Sequence, residues 1–497
     1  MAPLHRCARD WFVLPSGNMG AEQSNSPLLL QWEWDETPPA PPRLRQLENG
    51  LREAIRNGRL RSGVRLPASR ALSGQLDCSR WMVVQAYEQL EAEGYLRSQV
   101  GSGTFVHGVP SGQAPAARPP SAAEASYLFD FRTGIPDLSL FPRAQWLRAA
   151  RTAFTNAPSA SLDYGDPDGL PALRTVIADY LGRVRGAAVS EENTFITNGA
   201  VHALGILART LAARGIRRIG VEDPGWIPLR LPFQGSEVEA VPIPVDDEGL
   251  SVAALRRAAV GAALVSPAHS FPVGSVMSRQ RRLELMEWAE RCEGLIIEDD
   301  YDAEFRYDRH PLGTLQGVHP ERVALLGSVS KSLAPGLRLG WLVAPAGLRE
   351  LVKAGRSQID AGISVFSQLT FGEFVASGAF ERHLRLTRRE YARRREALVA
   401  ALHEQFPHTT VSGTAAGLHV LVRLAPSGDD ERVQAALKAH GVRAYSLRRY
   451  CHGGQLPAQF DNGLWLVLGF GAIPTRRITD GVGVIAEAIR SEIGPAR

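Results

Sequence analysis

Lysine is nearly missing from this chain. Only Lys331, Lys353 and Lys438 occur, although lysine and arginine together number 56 among 497 residues. Where a positive charge suffices the sequence uses arginine, so each lysine asks for a reason. Cysteine is scarce as well. Cys7, Cys78, Cys292 and Cys451 lie far apart with no paired spacing. That argues against a disulfide framework or a zinc site, so no metal is expected, and it fits a reducing cytoplasm. No uninterrupted apolar run approaches the length of a membrane span. Asp10 and Pro15 break up any signal-peptide core, and residues 1–27 read as an extension that the folded protein does not need. No internal repeat is found. With 44% apolar residues over this length, a soluble protein of two or three domains is expected.

Of the three lysines, Lys353 and Lys438 sit in polar, helical-looking stretches and read as solvated stems. Lys331 sits in LLGSVSKSLAPGLRLGW, after the strand-like Val323–Leu326, among Ser328, Ser330 and Ser332 and ahead of Arg338. A primary amine that can lose its proton when desolvated suits carbonyl chemistry, which arginine cannot perform. Small hydroxyls and a guanidinium beside it suit a phosphate ester. Together they describe pyridoxal 5′-phosphate (PLP) held as a Schiff base on Lys331.

The positive charge is also unevenly placed. Between Arg43 and Gly108 there are ten arginines and six acids, 10 − 6 = +4, which is the net charge of the whole chain. A polyanion is the partner this implies for that segment. Leu28–Trp34 reads as a short strand. Leu44, Leu47, Leu51 and Ile55 then make the stripe of an amphipathic helix ending at Asn57-Gly58. Pro67 opens a second helix, and Ser79 caps a third that buries Val83, Tyr87 and Leu90 and stops at Gly94. Two strand-like pieces, Tyr95–Ser98 and Thr104–Val106, flank Gln99-Val100-Gly101-Ser102-Gly103. Three helices and a Gly-rich hairpin make a winged helix-turn-helix, whose third helix enters the major groove.

The stretch Leu44–Val106, with Leu-Pro-x-x-Arg, Ser-Arg and Gly-x-Gly-Thr-Phe-Val in order, resembles the DNA-binding domain of the GntR family of bacterial regulators. The resemblance implies contact with double-stranded operator DNA by Arg70, Ser79, Arg80, Gly101, Gly103 and Thr104. Arginines take phosphate or guanine, and glycines let a wing approach the minor groove. Trp81-Met82 stands where the family usually has two polar residues.

Val109–Ser126 is rich in Pro, Ala and Ser and reads as a flexible linker, dividing a domain at 28–108 from one at 127–497. Beyond it, strand-like and helix-like stretches alternate, as expected of an α/β sheet with sites at strand ends. Tyr391 to the end mixes helices and strands and reads as a small α+β subdomain. GLIIEDDYD ends an apolar strand in acids, where a carboxylate can pair with a protonated pyridine nitrogen. Thr197–Val201 joins a strand to a helix whose N-terminus can cradle phosphate. Trp226 follows a tight turn and can stack on a ring.

This second part resembles the fold-type I aminotransferases, and the whole chain resembles the MocR-type regulators, in which a GntR domain is fused to such a domain. The resemblance implies Lys331 as the Schiff-base lysine and Ser328, Ser330, Arg338, Gly199 and Ala200 near the phosphate. It implies Asp299 for the pyridine nitrogen, Tyr301 for the phenolate oxygen and Trp226 for stacking. Tyr164 would reach the cofactor of a neighbouring subunit, making a homodimer, and Arg449 is the best match for an effector carboxylate. Asn198, Val201 and Phe271 depart from the aminotransferase pattern; Phe271 removes an asparagine that usually touches the phenolate oxygen. The expected function is a PLP-dependent transcription regulator sensing PLP or a small amine or amino acid. An active aminotransferase with an accessory DNA-binding domain and an empty dimerisation scaffold are the competing readings.

Overall fold

A computed structural model describes residues 34–37, 41–107, 127–307, 312–425, 429–460 and 463–493. The chain divides into two compact units, Met1–Ala125 and Ser126–Arg497. The extension at 1–27, most of the expected strand at 28–34 and the linker stretch lie outside the described residues.

In the first unit, α1 (Arg43–Arg56) buries Leu47, Leu51, Ala54 and Ile55, the face its spacing requires. The chain then turns at Gly58, whose φ of 70° suits glycine. Helix α2 (Ser69–Gln75) begins two residues after Pro67, with Ala68 at its cap, so the proline precedes the helix rather than opening it. Helix α3 (Arg80–Ala92) is capped by Ser79, whose Oγ accepts from the Met82 N–H at 3.2 Å. It buries Val83, Ala86, Tyr87 and Leu90 against the other two helices. Strands β1 (Leu96–Gln99) and β2 (Gly103–Val106) pair antiparallel, with Leu96 opposite Val106 and Gln99 opposite Gly103. This is a winged helix-turn-helix.

The second unit is built on an eight-stranded sheet in the order Thr194–Thr197, Gly340–Val343, Val323–Ser328, Leu295–Asp300, Ala262–Val265, Arg218–Asp223, Glu239–Asp246, Gly249–Leu250. Five neighbouring strands, from Val323–Ser328 to Glu239–Asp246, run parallel, and Gly340–Val343 runs against both of its neighbours. Strands such as Ala262–Val265 and Val323–Ser328 are buried along their whole length. Their unbroken apolar runs reflect a sheet covered on both faces.

The small α+β subdomain is an antiparallel sheet in the order Thr410–Ser412, His419–Ala425, Leu464–Gly469, Tyr445–Ser446. Its long helix starts at Ala379, after Gly378 in a left-handed conformation, rather than at Tyr391. The charged run ERHLRLTRRE hid the buried face of its first half, which Phe380, Leu384 and Thr387 supply. The beginning of the unit joins this end: Phe129–Asp130 pairs parallel with Val442–Arg443. No helix among the described residues is long and apolar enough to cross a membrane.

Candidate cofactor and effector site

The carboxyl ends of the parallel strands surround a cavity of about 320 Å³. This is where open α/β sheets place ligands. Lys331 follows the strand Val323–Ser328 and lines the cavity, its Nζ donating to the Gly134 carbonyl at 2.6 Å. Burial pulls its pKa below the ordinary value, with Asp302 and then Asp299 opposing. Gly134 has a left-handed φ of 77°, and a Cβ there would stand 3.2 Å from the Lys331 amine.

Asp299 lines the same cavity, with one carboxylate oxygen buried and without a hydrogen-bond partner. Desolvation, then Asp300 and Asp302, lift its pKa to about 7. Side chains alternate along a strand, and Asp300 faces the other way, held by Arg185. So only one of the two acids expected at this edge reaches the cavity. Glu222 lines it too, accepts from the Ser266 N–H at 3.2 Å and is raised to about 7, first by burial.

Ser328, Ser330, Ala200 and Arg338 line the cavity together. Arg338 has a left-handed φ of 48°, and its Nη2 donates to the Asn198 carbonyl at 2.6 Å. Gly199 stands as N-cap of the helix Ala200–Ala213, where a Cβ would lie 3.5 Å from the Arg338 guanidinium. Trp226 faces Lys331, whose amine is 5.7 Å from the ring centroid. Phe271 meets Trp226 edge-on at 5.1 Å and Tyr450 stacks on it at 6.4 Å.

Of the expected residues, Gly199, Tyr164 and Arg449 do not line this cavity, and of these Tyr164 is the one expected to serve a neighbouring subunit. Tyr164 is 85% exposed and does not line the cavity. Arg449 is exposed, lies 4.3 Å over the Tyr445 ring and does not line it either; its neighbour Arg448 pairs with Asp430. Sequence reasoning missed Asp302 and His419, which line the cavity, and a role for His269 behind them. His269, Asp302 and His419 offer polar atoms within 4.8 Å of one another. His269 Nδ1 is engaged with Asp302, however, and His419 Nε2 donates to the Pro272 carbonyl at 3.2 Å.

In the first unit, Arg70, Ser79, Arg80 and Gly101 are exposed. Arg80 Nε donates to Ser69 Oγ at 3.3 Å, tying the start of α3 to α2. Gly103 has φ of 106°, and a Cβ there would lie 2.8 Å from the Arg65 side chain. The wing thus carries Gly101, Gly103 and Thr104 beside α3, and Trp81 is 64% exposed in the first turn of α3.

Residues 44–106 match the family of bacterial regulatory proteins described as gntR, and residues 129–451 match aminotransferase class I and II. The pyridoxine biosynthesis transcriptional regulator PdxR of Corynebacterium glutamicum is 34% identical, covering 86% of this chain and 91% of its own. The probable rhizopine catabolism regulatory protein MocR of Rhizobium meliloti is 30% identical over 90% and 94%. The chain belongs to the MocR-type regulators. Among solved structures, Pyrococcus horikoshii kynurenine aminotransferase in complex with PMP superposes with a TM-score of 0.67 at 26% identity, covering 75% of this chain and 93% of that one.

A MocR-type regulator binds DNA through its GntR domain, and pyridoxal 5′-phosphate is the cofactor of its aminotransferase-like unit. The residues present fit that cofactor. An unpartnered buried carboxylate suits a pyridinium, a desolvated amine suits an aldehyde, and hydroxyls, a guanidinium and a helix N-terminus suit a phosphate.

Proposed function

We propose that this regulator binds its operator as a cytoplasmic homodimer and that the cofactor cavity senses PLP itself or an amino compound that condenses with it. The observation that carries the sensing reading is the Lys331–Asp299 cavity, which joins a buried amine, a buried carboxylate and phosphate-side hydroxyls in the same chain as a winged helix. When bound, PLP supplies an aldehyde for amines and a ring that withdraws electrons. The protein's part is to hold and orient. Lys331 presents an amine whose proton is easily lost, Asp299 holds the pyridine nitrogen, Tyr301 holds the phenolate edge, and Ser328, Ser330, Arg338, Gly199 and Ala200 hold the phosphate. A ligand acts as a signal only by favouring one arrangement of the protein over another.

Arg70, Ser79, Arg80 and the wing residues Gly101, Gly103 and Thr104 are the proposed DNA contacts. For the homodimer, support comes from Tyr164 and from apolar side chains left exposed on two packed helices. Leu147 is 68% exposed on Arg143–Asn156 and Phe366 56% exposed on Val365–Ala376. Tyr164 would serve the partner's phosphate. Arg449 remains the proposed effector-carboxylate group, which requires the exposed side chain to turn inward. The name of the Corynebacterium relative makes a vitamin B6 compound one candidate signal.

The test is fluorescence anisotropy at fixed salt on DNA from upstream of the protein's own gene, comparing PLP-loaded with PLP-stripped protein. Specific binding that changes with PLP makes PLP the signal. Specific binding that changes only with an added amine makes the amine the signal, and binding indifferent to both defeats the sensing reading. Turnover is the second reading, favoured by the intact Lys331 and Asp299 and opposed by Phe271. Sustained conversion of a 2-oxo acid with an amino donor would establish it.

A further inference from the structure

Tyr301 does not stand alone at the cavity wall. Its hydroxyl lies 3.1 Å from His269 Nδ1, and the same nitrogen lies 3.0 Å from Asp302 Oδ2. Phe271, whose ring lies near Trp226 and His419, brings no polar side-chain atom to this edge. His269 therefore holds the place behind the tyrosine.

The imidazole is enclosed by both parts of the second unit. Gly274 comes from the large sheet's side, Gly413 and Gly417 from the small subdomain, and all three have φ of 77–78°. A Cβ on Gly417 would stand 2.1 Å from the ring, and Cβ atoms on Gly274 and Gly413 would stand 3.4 and 3.6 Å from its Nε2. Gly417 thus leaves room for the ring, while Gly274 and Gly413 close on each other beside it. The charged and titratable groups that face it are Asp302 and Tyr301 from the end of one strand and His419, at 4.9 Å between centroids, from another. Lys331, Asp299 and Glu222 line the cavity beyond.

The hydrogen bonds select a tautomer. An ionised Asp302 only accepts, so His269 carries its proton on Nδ1. Nε2 is then a bare acceptor, and it is buried without a partner. Asp302 Oδ2 and the Tyr301 oxygen both lie within reach of that one Nδ1 proton, so the tyrosine oxygen can accept there. Its own O–H has Asp302 as a neighbouring acceptor and is free to turn from it to an acceptor in the cavity.

We propose that His269 is a positioning residue for Tyr301, directing the tyrosine's hydroxyl proton toward the phenolate edge of the bound cofactor, with Asp302 fixing the imidazole. This rests on the reading of the cavity as a PLP site. It does not depend on whether PLP is the signal.

The experiment is a pH titration of the absorbance of bound PLP in the full-length holoprotein. It compares wild type, His269→Ala, His269→Asn, Tyr301→Phe and the double variant His269→Ala/Tyr301→Phe, with the cofactor dissociation constant measured alongside. A donor to the phenolate oxygen stabilises its charge without help from a protonated imine, so losing that donor raises the titration midpoint. His269→Ala should raise it by up to about one pH unit, the size of one hydrogen bond. Tyr301→Phe should move it the same way, and His269→Asn, whose amide can replace Nδ1, should recover most of the shift. In the Tyr301→Phe background, removing His269 should add nothing. An unchanged midpoint in His269→Ala, or an equal shift in both backgrounds, overturns the proposal. His269→Gln, which fills much of the ring's space but cannot mimic Nδ1, gives the same test should His269→Ala not fold. A wild-type protein that binds no PLP overturns the cofactor reading and the positioning role together. A pigmented protein whose DNA binding ignores PLP and amines overturns only the sensing reading.

Discussion

Arg185 and Asp300 form a buried two-pronged ion pair on the side of the strand opposite the cavity. Nε lies 2.9 Å from Oδ2 and Nη2 2.8 Å from Oδ1, and the remaining Nη1 donates to the Leu312 carbonyl at 2.7 Å. The pair anchors the strand end that carries Asp299. Removing one partner leaves the other charge buried, which costs about 3–5 kcal/mol. Asp300→Ala is expected to destabilise the second unit on that scale in urea unfolding and to weaken PLP binding, although Asp300 does not line the cavity.

Asp299 makes stability depend on pH in a definite sense. Its ordinary value is 3.8 and its folded value about 7, so the folded chain keeps a proton that the unfolded chain has released. The more strongly protonated state is favoured at low pH. This contribution is therefore greatest below 3.8 and is lost as pH rises through about 7. Asp299→Asn should raise the melting temperature of the PLP-free protein at pH 8 and change it little at pH 4. With PLP bound the order should reverse, because the pyridinium then needs the carboxylate. A variant that gains stability equally at both pH values would refute the desolvation account.

Lys331→Ala should abolish covalent attachment of PLP, read as loss of the bound cofactor's absorbance after borohydride treatment and denaturation. The winged helix lies in the other compact unit. DNA affinity of the PLP-free variant should therefore stay within about twofold of the PLP-free wild type, with the response to ligand lost. Retention of the full ligand response would end the sensing proposal.

Arg70→Ala should weaken binding to specific and unrelated DNA alike and lower the slope of log K against log salt by about 0.9, the value of one phosphate contact. A loss confined to the specific sequence would instead assign Arg70 to a base edge, at about 1–3 kcal/mol. Anisotropy titrations at several salt concentrations separate the two.

How much was legible in the sequence varies with the range of the interaction. The stripe Leu47, Leu51, Ile55 and the Ser79 cap are local, and the structure carries both. Lys331 stood out because the chain otherwise writes arginine. The apolar strand ending in acids put Asp299 and Asp300 at one edge, and only the resemblance chose Asp299, because which acid meets the cavity depends on which face packs on Arg185. The start of the long helix at Ala379 was hidden because its buried residues are spaced among arginines and touch partners far away in the chain.

The sequence by itself determined two units of different chemistry, a basic winged helix and an α/β unit with one singular lysine, because periodicity, caps, composition and motif spacing act within a few turns of chain. Only the tertiary structure decided the order of the eight strands, the pairing of Asp300 with Arg185 on the far side, and the meeting of His269, Asp302, Tyr301 and His419. Tyr301 and Asp302 are neighbours in the chain, but His269 and His419 come from distant segments, and nothing local to any of the three segments records the others. Their chemistry follows from a shared desolvated space, which exists only once the sheet and the small subdomain have closed around it.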